Sequence, residues 1–68
     1  MKPEDIGLLA GKVWNYLSKN GESDAIKIRF SLGMTNSELY LALGWLACER
    51  KISLRTEKNI YYVSLIVK

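Results

Sequence analysis

The order of signals along this chain specifies an α+β domain: a winged helix-turn-helix, three helices plus a small antiparallel sheet with a C-terminal β-hairpin wing. Three observations carry that expectation. Two helical segments flank a turn of three or four residues containing Gly33, the spacing of a helix-turn-helix. Thr35-Asn36-Ser37-Glu38 spells a capping box, which fixes where the second of those segments begins. From Ile52 the apolar rhythm changes from a helical period to a period of two, the mark of a half-buried strand.

Each element follows from its own residues. Pro3 suits the first turn of a helix, where its missing N–H costs nothing, and Glu4 and Asp5 complement the positive end of the dipole. Ile6, Leu9, Ala10, Val13 and Leu17 then fall on one face, with Lys19 and Gly21 closing the helix, so the first runs from about Pro3 to Lys19. Glu22 and Ser23 form a short extended connection, and Ser23 or Asp24 caps a second helix over Ala25 to Leu32. Its inward residues are expected to be Ile26 and Phe30, with Ile28 a further candidate. Gly33 ends it as a left-handed residue. The third helix starts at Asn36, stapled by Met34 and Leu39, and is expected to reach about Arg50. Ile52 to Arg55 alternates as a strand, Thr56-Glu57-Lys58-Asn59 reads as the hairpin loop, and Ile60 to Val67 is a second strand. That last run outlasts the first strand and needs another partner, for which the piece near Glu22 is available.

Composition narrows the class of object. Sixty-eight residues make one domain, 1–68, near the lower limit for independent folding. A single cysteine makes no intrachain disulfide, and with no histidine present no zinc tetrad is available. Oligomerisation is the remaining way to staple so small a scaffold. Ten Lys+Arg against seven Asp+Glu give a net charge of +3, compatible with nucleic acid and equally with an ordinary surface. No apolar run is long enough to span a membrane and no export signal is evident, so a cytoplasmic location is expected. Catalysis has little to work with: without histidine, the acid pairs Glu4/Asp5 and Glu22/Asp24 sit where helix starts belong. Gly7 and Gly11 lie inside a helix and form no phosphate loop. The expectation is a non-enzymatic protein with no cofactor and no metal.

Helix 3 is the element whose sequence is unusual. Leu39, Ala42, Leu43, Leu46 and Ala47 make one apolar face, enough to pack on the other helices. The opposite face holds Ser37, Tyr40, Leu41, Gly44, Trp45 and Cys48, almost without charge. A helix apolar all round is covered on all sides, and little chain is left over to do so. Tyr40, Leu41, Gly44, Trp45 and Cys48 are therefore the candidate interface, most simply with a second copy in a homodimer. Cys48 itself, with no histidine to activate it, reads as a small hydrophobe due for burial. The alternative is a DNA-binding transcriptional regulator. Asn36, Ser37 and Tyr40 occupy the first turns of helix 3, where base contacts come from, and Lys27, Arg29, Arg55 and Lys58 are the candidate phosphate contacts. These two uses compete for one helix, and the interface is favoured. A third reading is a module that docks on a different protein. Trp14 is expected at the core edge. Tyr61 and Tyr62 point to opposite strand faces; stacking on nucleic acid is one use, and strand propensity the plainer explanation.

Several segments also carry a family resemblance. Ala10-Gly11-Lys12-Val13-Trp14, the Glu38-Leu39-Tyr40 stretch and above all Ala42-Leu43-Gly44-Trp45-Leu46-Ala47 leading to Lys51-Ile52 resemble a family of short bacterial winged helix-turn-helix proteins catalogued as a domain of unknown function. The resemblance runs from Ile6 to the wing. It implies the winged-helix fold, a stand-alone bacterial protein and a homodimer, and it transfers no catalytic residues. Cys48 departs from it, standing where relatives are expected to carry a polar or charged residue.

Overall fold

A computed structural model describes residues 2–66. Along the chain come α1 (Pro3–Asn20), β1 (Ser23–Asp24), α2 (Ala25–Leu32), α3 (Asn36–Cys48), β2 (Ile52–Glu57) and β3 (Ile60–Leu65). The strands form one antiparallel sheet in the order β1-β3-β2, so the more apolar of the two six-residue strands lies at its centre. Ser23 pairs with Val63 and Asp24 with Tyr62, which supplies the second partner that β3 needs. The winged helix-turn-helix architecture is as the sequence specifies.

Local chemistry sets the boundaries. The backbone N–H of Lys2 donates to the Asp5 carboxylate at 2.9 Å and opens α1. Asp24 accepts from the N–H of Lys27 at 2.7 Å and caps α2, so one residue both ends β1 and starts the next helix. Gly33 closes α2 at φ 64°, ψ 34°, the left-handed conformation a glycine adopts without steric cost. The capping box of α3 is complete: the N–H of Glu38 donates to Thr35 Oγ1 at 3.1 Å, and the N–H of Thr35 donates to the Glu38 carboxylate at 2.9 Å.

The core sits where α1, α3 and the sheet meet. Val13, Leu17, Ile28, Leu39, Ala42, Leu43, Leu46, Ile52 and Val63 are buried, and Leu9, Tyr16, Leu32 and Leu65 pack against them. Four details differ from expectation. In α2 the inward residues are Ala25 and Ile28, while Ile26 and Phe30 are exposed. Asp24 is held in the sheet by Tyr62, and that anchor sets the rotation of a helix only two turns long. α3 ends at Cys48, not near Arg50, because Arg50 turns to φ 58° and the N–H of Lys51 closes back on the Leu46 carbonyl at 2.9 Å. The hairpin loop is shorter than the expected Thr56–Asn59. β2 continues to Glu57, which pairs with Ile60, leaving Lys58 and Asn59 as a two-residue turn at φ 52° and 66°. Two residues with positive φ match the right-handed twist of a tight hairpin. Finally, Ala47 and Cys48 are exposed on this chain, since Leu46 is the last residue of α3 that the core buries and the two after it turn outward. At the end of the sheet, Leu65 pairs with Ile52, and the N–H of Ile66 donates to the Lys51 carbonyl at 2.9 Å; Val67, expected in the same strand, lies outside the described residues.

Candidate nucleic-acid interface

The exposed side of α3 has two edges with different neighbours. Residues advance about 100° each around a helix, so Tyr40 and Trp45 lie about 140° apart. Tyr40 faces the wing. Its ring meets that of Tyr61 edge to face, with centroids 6.5 Å apart and planes at 80°. Trp45 faces α1 instead, where a Cβ built on Gly7 would lie 3.8 Å from its Cζ2. The five residues expected to form one interface are therefore divided. Leu41, Gly44 and Cys48 run between the edges, Tyr40 belongs with the sheet, and Trp45 lines an open groove with Gly7, Gly11 and Trp14.

On the wing side, strand alternation brings the aromatic pair together. Val63 is buried on the helix side of β3, so Tyr61, two residues earlier, faces the same way. Leu54 pairs with Val63 and Thr56 with Tyr61, which places Leu54 diagonally across from Tyr61 on that face. Tyr40, Tyr61 and Leu54 are 52%, 48% and 48% exposed. Beside them, Asn36, Ser37, Tyr40 and Leu41 line a shallow depression at the start of α3. Asn36 lies one turn ahead of Tyr40 on the same edge and offers an amide donor and acceptor. For Tyr61 the sequence leaves strand propensity as a plainer explanation than stacking on nucleic acid, and only the fold sets its ring beside Tyr40. The two tyrosines are 21 positions apart on different elements, and no signal in either segment announces the meeting.

The charged candidates separate just as clearly. Arg55 sits on the other sheet face, opposite Tyr62, with its guanidinium 4.6 Å from the centroid of that ring. It pairs with Glu22 at 3.0 Å and also with Glu57. The hydrogen bonds it donates to Glu22 and then to Glu57 raise its pKa above the ordinary arginine value. Arg55 therefore lies away from the α3 side, with two of its donors already on carboxylates of the same chain. Arg29 instead reaches towards the turn that enters α3, donating to the Met34 carbonyl at 3.5 Å, with its guanidinium 4.5 Å from the centre of the Phe30 ring. Lys58 stands at the tip of the wing and Lys27 on the exposed side of α2. Among the described residues, Lys27, Arg29 and Lys58 have no carboxylate at salt-bridge distance. α3 itself carries no Lys or Arg, and its one charged residue, Glu38, is committed to the cap. No helix among the described residues is long and apolar enough to cross a membrane, and no three His, Cys, Asp or Glu side chains gather there as metal ligands.

This geometry, three helices with the third one exposed beside a two-stranded wing, defines a winged helix-turn-helix domain. The chain belongs to the family described as winged helix-turn-helix domain (DUF2582), whose model matches residues 1–65. Two solved structures are similar over nearly the whole chain. A Bacteroides thetaiotaomicron protein solved by solution NMR superposes with a TM-score of 0.85 at 25% identity, covering 96% of this chain and 79% of that one. The Zalpha domain of PKZ from Carassius auratus, crystallised in complex with Z-DNA, superposes with a TM-score of 0.79 at 22% identity, covering 91% and 98%. No curated protein matches the chain.

Proposed function

We propose that this chain is a non-enzymatic nucleic-acid-binding module that reads its ligand with the start of α3 and the helix-side face of the wing. The observation that carries this reading is the half-exposed Tyr40–Tyr61 pair beside Asn36 and Ser37. It sets aromatic and hydrogen-bonding groups from two elements on one open surface. The Zalpha neighbour, which shares the fold, was crystallised with Z-DNA, and that supports nucleic acid as the ligand class here. Lys58, Arg29 and Lys27 supply the phosphate contacts, and Arg55 is left out because Glu22 and Glu57 already occupy it.

Fluorescence anisotropy with labelled single strands, right-handed duplex and left-handed duplex, repeated across a salt series, tests the proposal. Each neutralised phosphate steepens the plot of log affinity against log salt by about 0.7 to 0.9. With three cations available, the expected slope is therefore about −2 to −3. Lys58→Glu should weaken binding without changing the sedimentation coefficient. Failure of every probe to bind at low salt would contradict the proposal.

A second reading, a self-associating regulatory or adaptor module, is favoured by the other edge of α3. Trp45 and Leu41 are 38% and 43% exposed on a helix face with no charge, and contiguous apolar patches of this kind mark protein contacts. The two readings no longer exclude each other, because Tyr40 and Trp45 occupy opposite edges. Sedimentation of wild type beside Trp45→Glu checks it. A concentration-dependent dimer lost in the variant supports self-association; two monomers, or two identical dimers, rule that edge out.

A further inference from the structure

We infer that the surface at Tyr40 and Tyr61 takes unstacked bases, as in a single strand or an unpaired segment, in preference to the base-pair edges of a duplex. The inference rests on the nucleic-acid reading above and specifies its ligand. The first ground is ring geometry. With planes at 80° and centroids 6.5 Å apart, the two rings form a corner, and both residues are about half exposed to solvent. A ring face is useful to a base that can lie flat on it. Inside a duplex each base already has a stacking neighbour on both sides and offers only its edge in a groove. An unstacked base has a free face for the corner and a free Watson–Crick edge within reach of groups such as Asn36 and Ser37, which line the depression beside Tyr40.

The second ground is charge. A helix inserted in a major groove lies between two phosphate strands and normally brings cations with it. α3 has none over Asn36–Cys48, and its single charge is the acid Glu38. Two cations without a carboxylate partner stand instead at the ends of the surface, Lys58 at the wing tip and Arg29 by the turn that enters α3. That arrangement suits one backbone passing over the corner better than two strands flanking the helix.

The test compares three labelled probes at matched salt with the 68-residue chain: a thymidine strand of about ten nucleotides, in the size range of single-strand sites, the same strand annealed to its complement, and a left-handed alternating C–G duplex. The single strand is expected to bind tightest. Base–aromatic stacking is worth about 1–3 kcal/mol per base, so Tyr61→Ala and Tyr40→Ala should each lose about 5- to 160-fold of single-strand affinity. Tyr61→Phe, which keeps the ring, should retain it, and circular dichroism shows that each variant is folded. Tighter binding of either duplex would overturn this inference while leaving the nucleic-acid reading intact. Equal affinity of Tyr61→Ala and wild type for the single strand would overturn it as well. Binding of no probe would overturn both.

Discussion

Ile28 and Ile26 differ by two positions in α2 and by everything in environment. Ile28 is fully buried between helices and sheet, whereas Ile26 is 58% exposed. Truncating a buried isoleucine removes its transfer free energy and leaves a cavity. Ile28→Ala should therefore cost about 3 kcal/mol, a large fraction of the stability of so small a domain. Ile26→Ala should stay within about 0.5 kcal/mol, and urea midpoints of the two variants check the contrast. The sequence did not reveal which isoleucine is inside. Apolar residues at 25, 26, 28, 30 and 32 allow more than one face on two turns of helix. The choice is made by the Asp24–Tyr62 strand pairing, a contact 38 residues apart in the chain. Arg55 teaches the same lesson for charge. As a string of letters it is a cation on a wing and a natural phosphate contact; in space, Glu22 from before β1 and Glu57 from its own strand consume it. What was legible at this scale was local: the Asp24 and Thr35 caps, Gly33 and the Pro3 start all follow from neighbours within a few residues.

Among the elements, α1 and α3 each tolerate glycine where helix propensity disfavours it. A Cβ added at Gly11 or Gly44 would meet nothing within 4 Å, and neither residue is needed for a left-handed backbone. Alanine is better than glycine in a helix interior by about 0.8–1 kcal/mol. Gly11→Ala and Gly44→Ala should each raise thermal stability by about that amount in the monomer, as calorimetry would show. Gly44 lies on the exposed stripe of α3, so the same substitution probes that face. If a second copy packs closely there, the gain is offset by weaker association and becomes dependent on protein concentration. The order and type of every element were readable from periodicity and punctuation, because caps, turns and alternation are short-range properties. Hairpin length was not. Thr56 and Glu57 are polar yet pair fully with Tyr61 and Ile60, since an edge strand exposed to solvent has no need of apolar residues.

Across the whole molecule, the apolar outer face of α3 admits two uses that the sequence alone sets in competition. Folding places them on different sides: Tyr40 is turned to the wing and Tyr61, Trp45 to α1 and Gly7. A domain of this size can then hold a nucleic-acid surface on one edge and leave the other for a partner. Nucleic-acid binding, as proposed, depends on the first of these edges. Backbone amide and indole signals recorded by NMR during titration with a short oligonucleotide test it directly. The prediction is that Asn36, Ser37, Tyr40, Lys58 and Tyr61 shift together while the Trp14 and Trp45 indole N–H signals hold still. Movement of those two indoles with a silent Tyr40–Tyr61 corner would contradict it.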